Sequence, residues 1–524
     1  MPTLVALFAV GLRIACARYT DFVADDAYIT FRYARNLAAG MGFVYNSGQA
    51  VLGTTTPLFT LLLAALSLVG IDPVTAARAV SIGCDAGSAI LVFLFVRQVS
   101  GCRWTALLSS LFWASLGPGV VWAISGMETG LFTFLSLSAF WNWLNRRAIG
   151  TAIACSLAIL TRPEGVLLTG VLIAFTFLYD RRGAARIGGS VVAFATPWFV
   201  YSYWVFGDVV PMSVRAKALL GGTAWSWNRI ASDLMHRAFG LDDAFFGLAC
   251  SGTLITLFPV ARVCAWIVAG LLILVLSTTL RVRRCQPLVC FLCVYYFLHT
   301  TAVFPFPWYW VPLGPFAAIV IAVGVTRVAS AWNVHQSKLV MALVTITTCA
   351  AFVMNGLNLT GAFVYYRSYR ASERSEWEAA AVWLNSFAPR EARVCLEHIG
   401  YVGYFADREI IDTTGLVSPE VVRFYRKRGA SPGKYFRSKV DLLKEDVARC
   451  DYYVAAENDW SAMHQVATPA ERVWLTATYH PVSEFVHTGE PCALLSRSVV
   501  VLARSPAFAG FGQGLQADSA AARL

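Results

Sequence analysis

The sequence predicts an α-helical polytopic membrane protein, with about 11 transmembrane helices and a small C-terminal α/β domain. Three observations support this fold class. First, 57% of the 524 residues are hydrophobic and only 14% are charged, whereas soluble domains are roughly 25% charged. Second, apolar runs of about 20 residues, the length that crosses a bilayer, recur up to residue 358. Third, charges become frequent and apolar runs shorten after residue 359.

The first of these runs is a membrane span rather than a signal peptide, because no small-residue cleavage site follows it and further spans do. The two predicted spans on either side of residue 162 are short. The predicted spans are residues 2–19, 76–97, 104–124, 127–145, 149–161, 163–180, 185–206, 260–280, 285–304, 308–326 and 338–358.

The stretch 56–71 is apolar, but it has only 16 residues and begins Thr-Pro. If it does not cross the bilayer, the basic groups between spans all fall on one side, which marks that side as cytoplasmic. These groups are Arg97 and Arg103, Arg146 and Arg147, Arg181, Arg182 and Arg186, Arg281, Arg283 and Arg284, and Arg327 with Lys338. We therefore interpret 56–71 as a half-buried or surface-lying helix on the outer leaflet of the inner (plasma) membrane. The N-terminus is then cytoplasmic and the C-terminal domain extracytoplasmic.

The predicted domains are a transmembrane domain (1–359) with a first outer loop (20–75), an extracytoplasmic α/β domain (360–506) and a disordered tail (507–524). Within the α/β domain, 372–386 reads as an amphipathic helix that ends near Pro389. Short β-like runs follow at 393–397, 409–412, 451–455 and 493–503. The domain has three cysteines, Cys395, Cys450 and Cys492, and the sequence does not decide whether two of them pair.

The first outer loop carries a doubled carboxylate, Asp25-Asp26. Adjacent carboxylates are costly at a membrane surface, because each repels the other's charge and lipid solvates neither. Function is the usual reason for such a pair: a general base, a ligand for a divalent cation, or a partner for a cationic substrate. The structural alternative is two solvated loop carboxylates.

A predicted amphipathic helix on the membrane follows the pair and ends at Gly40 and Gly42. Arg32 and Arg35 share one of its faces, where guanidinium groups suit the phosphate of a lipid. A plain interfacial anchor is the alternative for these arginines.

Several further polar or aromatic motifs fall on the same outer side and suggest one outward-facing site. Glu128 follows Gly126 at the top of a span, and Arg162 and Glu164 lie in the turn Thr161–Gly165. The structural alternative is an ion pair or two backbone caps for Arg162 and Glu164, a membrane histidine for His299, and an interfacial aromatic belt for Phe304–Trp310. The remaining members of this group are Arg215, Lys217, His299, and Trp308 and Tyr309 within Phe304–Trp310.

Other chemistries are not indicated. The sequence has no Gly-rich nucleotide loop, serine-nucleophile motif or zinc-ligand spacing. The net charge of +11 is spread in small groups between apolar runs, so nucleic acid is not expected as a partner. No cofactor is predicted with certainty; a divalent cation is a candidate, and Asp25 and Asp26 would then be its ligands.

At Asp25–Gly40 and Gly53–Phe59 the chain resembles the GT-C superfamily of polytopic glycosyltransferases. It is most similar to the bacterial branch that includes the mycobacterial terminal arabinofuranosyltransferase type. Ser125–Glu128, Thr161–Gly165 and the run 406–419 extend the resemblance. One departure is Thr56-Pro57, where that type has His-Pro.

The resemblance implies a GT-C-like fold and a glycosyltransferase that uses a polyprenyl-phosphate sugar donor and an envelope glycan or lipid acceptor, in contact with membrane lipids. Asp25, by preference, would then be the general base in an inverting displacement. Arg32, Arg35, Arg162, Arg215 and Lys217 would bind the donor phosphate, and Glu128, Glu164, His299, Trp308 and Tyr309 would support the acceptor. The alternative is a transporter or flippase of a lipid-linked sugar, although no inverted repeats are evident.

Overall fold

The structure is a computed structural model of the chain. It describes residues 1–220, 275–301, 306–331, 338–370, 374–431, 434–445, 449–486 and 498–505. The predicted tail at 507–524, the cysteine at position 492 and most of the predicted span 260–280 lie outside these residues.

The chain forms two compact units, each discontinuous in sequence. Unit 1 contains Met1–Ala24, Thr55–Tyr203 and the described part of 223–368. Unit 2 contains Asp25–Thr54, the described part of 204–222 and the described part of 369–524. The first outer loop predicted at 20–75 is therefore divided, and its segment 25–54 packs with the C-terminal part of the chain.

Helices account for unit 1 and for the connections into unit 2. In chain order they are α1 (Pro2–Thr20), α2 (Asp25–Ala38), α3 (Pro57–Leu68), α4 (Pro73–Ser100), α5 (Arg103–Ala114), α6 (Gly117–Ile124), α7 (Thr129–Leu144), α8 (Ala148–Thr161), α9 (Gly165–Tyr179), α10 (Arg181–Phe206), α11 (Met212–Leu220), α12 (Gln286–Thr301), α13 (Leu313–Ala331) and α14 (Lys338–Tyr369). Residues 275–280 are also helical, and Arg283–Cys285 and Pro307–Tyr309 form 3₁₀ turns.

Three described helices are long and apolar enough to cross a membrane: α1, α4 and residues Leu313–Ser330 of α13. The helices α5 and α6 form a fourth candidate, bent by 53° at a short break. Shorter apolar helices include α3, α8 and α9. The mostly helical membrane fold is thus confirmed, and the count of about 11 spans stays a prediction.

Helix α3 covers the stretch that we interpreted as not crossing the bilayer. Its 12 residues span about 18 Å at 1.5 Å per residue, well short of the hydrocarbon core. Phe59 and Leu63 are buried while Leu61 and Leu68 are exposed, as expected for a half-buried helix.

Unit 1 contains a buried ion pair between α1 and α4. The Arg13 guanidinium is fully buried and bonds the carboxylate of Asp85, which is 2% exposed. Its Nη1 also donates to the carbonyl oxygens of Ala9 (3.2 Å) and Ala114 (2.5 Å), so it joins α1 to the end of α5. A lone charge here would be unsolvated, because these helices lie in the predicted membrane region.

Unit 2 is an α/β domain built on a mixed five-stranded sheet of order β2-β1-β3-β5-β4. Strands β1, β2 and β3 pair in parallel, whereas β5 is antiparallel to β3 and β4. The strands are β1 (Arg393–Leu396), β2 (Glu409–Asp412), β3 (Tyr452–Ala456), β4 (Tyr479–Val486) and β5 (Ser498–Arg504). The helices are α15 (Ser375–Phe387), α16 (Tyr401–Phe405), α17 (Pro419–Arg428), α18 (Tyr435–Lys444), α19 (Glu457–Val466) and α20 (Pro469–Thr478).

Strand β4 was not predicted, because its sequence contains Pro481 and its residues do not alternate regularly between buried and exposed positions. The sheet accommodates the proline at an edge strand with a register shift between Pro481 and Ser483. In the core, Cys395 of β1 forms a disulfide with Cys450, which precedes β3. This bond settles the pairing that the sequence left open.

We predict that Asp85→Ala lowers the free energy of unfolding by about 3–5 kcal/mol, because it leaves the buried Arg13 charge without a partner. Thermal unfolding of the purified protein in detergent measures this. The double variant Arg13→Met/Asp85→Leu removes both charges and should retain most of the stability. Equal melting of the single variant and the wild type would contradict the role of the pair.

Candidate active site

The acidic pair is at the start of α2, and its first residue, Asp25, is held by backbone groups of the C-terminal segment of unit 2. The two carboxylate oxygens of Asp25 accept hydrogen bonds from the backbone amides of Tyr401 (2.7 Å) and Gly400 (3.2 Å). These amides lie at the start of α16, whose first N–H groups have no partner within their own helix. The Asp25 side chain thus joins two segments that lie 375 residues apart in sequence.

The approach of α2 to this turn requires glycine at position 400. A Cβ atom there would lie 1.9 Å from the Asp25 carbonyl oxygen and 2.6 Å from its Cγ. Three residues on, a Cβ at Gly403 would lie 1.8 Å from the Tyr45 hydroxyl oxygen. The two glycines therefore allow the backbone of the C-terminal segment to approach segment 25–54 closely within unit 2.

The surroundings of Asp25 change its acidity. Burial raises the pKa of its carboxyl to about 6, and the charge of Asp26 adds to the rise. His398 and the two backbone amides act in the opposite direction. The result is a carboxylate that is more basic than a free aspartate, whose pKa is about 3.9, and that is still ionised at neutral pH.

Asp26 has a different environment although it is the next residue. Its side chain is half-buried, and among the described residues it forms no hydrogen bond or ion pair. The pair therefore consists of one carboxylate fixed by the backbone and one that is available to a ligand.

The C-terminal segment of unit 2 contains a group of charged residues that the sequence did not indicate. Lys439 is 1% exposed, bonds the Glu397 carboxylate, and lies 4.0 Å from Asp459. Burial opposes ionisation of Glu397, but Lys439 and His398 outweigh it and lower the pKa of that carboxyl. Glu397 and His398 directly follow β1, whereas Lys439 lies in α18 and Asp459 in α19, so no local motif marks the group.

Arg32 and Arg35 point to backbone carbonyls rather than to open solvent. Buried Arg32 donates from Nε to Tyr45 (2.8 Å) and from its Nη atoms to Gly403 and Arg408. Arg35 is half-buried and donates from one Nη to Tyr404 (2.9 Å). Arg32 thus connects the loop to the C-terminal segment, which differs from the expected phosphate ligand, whereas Arg35 keeps unused donors.

Helix α2 itself is confirmed, including its end near Gly40 and Gly42, whose φ values are positive. We expected its apolar face to lie on the membrane, but in the structure this face packs on protein. Phe31 contacts Tyr404 edge to face, with ring centroids 6.3 Å apart.

Arg215 and Lys217 lie on α11, in unit 2. Arg215 pairs with Asp208 and is about one-third exposed. Lys217 is half-buried on the same helix. Both remain candidates for contact with an anionic ligand.

The other predicted residues form a buried network in unit 1. The Arg162 guanidinium is 3% exposed and lies between Glu164 (2.8 Å) and Glu128 (3.4 Å). His299 Nε2 is 3.2 Å from Glu164, and its Nδ1 is 2.9 Å from the Tyr295 carbonyl oxygen. This pairing favours the structural alternative for Arg162 and Glu164.

Aromatic rings close one side of this network. The Tyr309 ring lies 4.9 Å from the Arg162 guanidinium carbon and 5.1 Å from the His299 ring. Trp308 stacks on Phe306 at 4.4 Å and contacts Trp122 at 5.1 Å. Tyr295, which sequence reasoning missed, stacks on His299 at 4.2 Å.

Within the described part of the chain, no group of three or more His, Cys, Asp or Glu side chains converges on a metal-ion position. Asp25 and Asp26 would therefore supply at most two protein carboxylates to a cation, and both carboxylate oxygens of Asp25 already accept hydrogen bonds from backbone amides.

Solved structures show where this architecture recurs. ArnT from Cupriavidus metallidurans bound to undecaprenyl phosphate aligns with a TM-score of 0.54 at 11% identity, over 96% of this chain and 97% of that chain. Its apo state gives the same values. The chain has a GT-C fold.

Two curated relatives of this chain are named terminal β-(1→2)-arabinofuranosyltransferase. The protein from Mycobacterium tuberculosis is 26% identical over 248 residues, and that from Corynebacterium glutamicum is 26% identical over 267 residues. The matches cover 42% and 43% of this chain but only 38% of each relative. In addition, residues 364–503 match a family described as a domain of unknown function, DUF8728.

We predict that Gly400→Ala destabilises the protein by about 1–3 kcal/mol, because the added methyl group overlaps the Asp25 backbone. Thermal unfolding measures the loss. The matched control is Gly189→Ala, a glycine in α10 with no atom within 4 Å of an added Cβ. If the two variants melt alike, the close approach of α2 to α16 is not needed for stability.

Proposed function

We propose that this chain is a membrane glycosyltransferase of the inner (plasma) membrane. It transfers a sugar from a polyprenyl-phosphate donor to an envelope glycan or lipid acceptor at the outer face. The observation that carries the proposal is the acidic pair at the start of α2, held by backbone amides within a GT-C fold. The names of the two relatives support this class and make an arabinofuranosyl donor the first to test.

The proposed chemistry is a single displacement. As the acceptor hydroxyl oxygen attacks the anomeric carbon, Asp25 takes the hydroxyl proton. The bond from the anomeric carbon to the phosphate oxygen breaks, and polyprenyl phosphate leaves with the electron pair. Attack from the face opposite the leaving group inverts the anomeric centre.

The other residues of unit 2 have supporting roles in this proposal. Asp26, which has no partner among the described residues, orients the acceptor. Arg35, Arg215 and Lys217 stabilise the phosphate charge, since cations near a leaving phosphate lower the barrier. Arg32 positions the loop through its carbonyl contacts.

The structure of unit 2 also supports an extracytoplasmic C-terminal domain. Disulfides form and persist in oxidising compartments and are rare in the cytosol. The bond between Cys395 and Cys450 therefore agrees with the side that the basic loops assign to this domain.

We predict that Asp25→Asn lowers kcat/KM by about 10²–10⁴-fold, the usual contribution of a general base. Asp26→Asn should cost less, because it removes an orienting contact only. The control is Asp72→Asn, at the N-cap of α4, where asparagine caps equally well and activity should not change. Wild-type rates in both Asp25→Asn and Asp26→Asn would end the assignment to this pair.

The pH dependence separates a base from a structural carboxylate. Since the base must be ionised, wild-type kcat/KM should fall as the pH drops through about 6, the raised pKa of Asp25. The residual activity of Asp25→Asn should lack this limb. If the variant keeps the limb and is only slower at every pH, Asp25 acts through the fold.

A third test separates the enzyme from a flippase. In detergent, with no sealed vesicle, the protein should release polyprenyl phosphate when it receives a polyprenyl-phosphate sugar and an acceptor. A flippase changes only the leaflet of its substrate and would give no product. Lipid scrambling in vesicles without transfer for any donor of a broad panel would favour the flippase.

The compartment can be tested on protein taken directly from cells. Under denaturing alkylation, Cys395 and Cys450 should react only after reduction, because they form a disulfide. Cys293 and Cys349, which are free in the structure, should react without a reductant and are the internal control. Alkylation of Cys395 and Cys450 before reduction would contradict the exported assignment.

A further inference from the structure

Unit 1 contains an open cleft of about 370 Å³ whose lining is strongly basic. It lies at the end of α4, beside the 3₁₀ turn before α12 and the last part of α13. Its lining residues are Val99, Arg281, Val282, Arg283, Arg284 and Arg327. The distribution of basic loops predicts that this end of the helices lies on the cytoplasmic side.

The packing of two helices brings the arginines together. Thr279 Oγ1 donates to the Val320 carbonyl oxygen (3.1 Å), which ties residues 275–280 to α13. Gly324 permits this approach, because a Cβ there would lie 2.6 Å from Val275 Cγ1 and 2.7 Å from Thr279 Oγ1. Arg327 lies one helical turn after Gly324, and the turn that carries Arg281–Arg284 follows residue 280 directly.

Within the described residues, no carboxylate compensates the positive charge of the cleft. Its four arginines are exposed, and none of them forms an ion pair with a carboxylate among the described residues. Like charges held this close repel one another, so an anion in the cleft would relieve the repulsion. A guanidinium group can donate two parallel hydrogen bonds to two oxygens of one phosphate, so a phosphate is the anion that best matches this cleft.

The neighbours of the arginines indicate a lipid rather than a soluble phosphate. Leu280, directly before Arg281, is 44% exposed, and Val325, two residues before Arg327, is 36% exposed. Leu280 ends the helical residues 275–280, and Val325 belongs to α13, which is long and apolar enough to cross the membrane. Exposed apolar side chains thus lie beside the cationic cleft, near the end of a predicted span. A lipid would match this arrangement, because its acyl chains would contact the apolar side chains and its phosphate headgroup would contact the arginines.

We propose that this arginine cleft binds the phosphate headgroup of an anionic membrane lipid on the cytoplasmic side. The site is separate from the proposed transferase chemistry and does not depend on it. It is a specific binding site, in contrast to the diffuse attraction of basic loops to an anionic leaflet.

The test uses the full-length protein in detergent and native mass spectrometry of bound lipid. The probes are phosphatidylglycerol, phosphatidylcholine with the same acyl chains, and inorganic phosphate. Each arginine near the lipid should contribute roughly fivefold in affinity, so Arg283→Gln/Arg284→Gln should weaken phosphatidylglycerol binding about 25-fold and Arg327→Gln about fivefold. The matched control is Arg181→Gln/Arg182→Gln, which removes the same charge from another basic turn on the same predicted side.

The proposal holds if phosphatidylglycerol binds more tightly than phosphatidylcholine and only the cleft variants lose that preference, with unchanged melting temperatures. Equal losses in the control variant would show diffuse charge attraction and overturn it. Displacement of the lipid by inorganic phosphate at similar concentration would assign the cleft to a soluble phosphate instead. A lack of preference for phosphatidylglycerol in the wild type would also overturn it.

Discussion

The organisation of unit 2 depends on the polar contacts that tie the first loop to the C-terminal segment. The carboxylate of Asp25 accepts hydrogen bonds from the backbone amides of Gly400 and Tyr401, and the Arg32 guanidinium donates hydrogen bonds to the carbonyl oxygens of Gly403 and Arg408. Over the same short stretch, a carboxylate thus pairs with backbone N–H groups and a guanidinium pairs with backbone carbonyl groups. Because buried backbone groups are costly when unpaired, these contacts fix the position of α2 on the domain.

This arrangement changes the role that we assign to the C-terminal segment. It is part of the candidate site rather than an appended domain, since it supplies the amides that hold Asp25 and the histidine, His398, that influences its charge. The same burial that requires the amide contacts raises the pKa of Asp25. The fold of this segment and the proposed chemistry therefore depend on the same feature, a half-buried carboxylate held by two backbone amides. In unit 1 the buried Arg162 guanidinium pairs with the carboxylates of both Glu164 and Glu128, which favours structural support as the role of this network.

Local patterns were sufficient for much of this structure. The apolar helices, the helix after Asp26 with its glycine end, and four of the five strands follow from periodicity and from glycine and proline positions. The assignment of 25–54 to the C-terminal unit could not be predicted, because its contacts join residues more than 350 positions apart. The same reason hid the backbone role of Arg32 and the charges around Lys439. Sequence identifies which side chains are chemically unusual, but their partners are set by tertiary packing.

Hydrogen–deuterium exchange of the segment that contains Gly400 and Tyr401 tests whether the C-terminal segment anchors the acidic pair. We expect these two amides to be protected in the wild type, because both donate hydrogen bonds to the Asp25 carboxylate. They should exchange faster in Asp25→Ala, while the amides of the β3–β5 ladder keep their protection. Amides that exchange freely in the wild type, or that are equally protected in the variant, would contradict the anchoring of the acidic pair by the C-terminal segment.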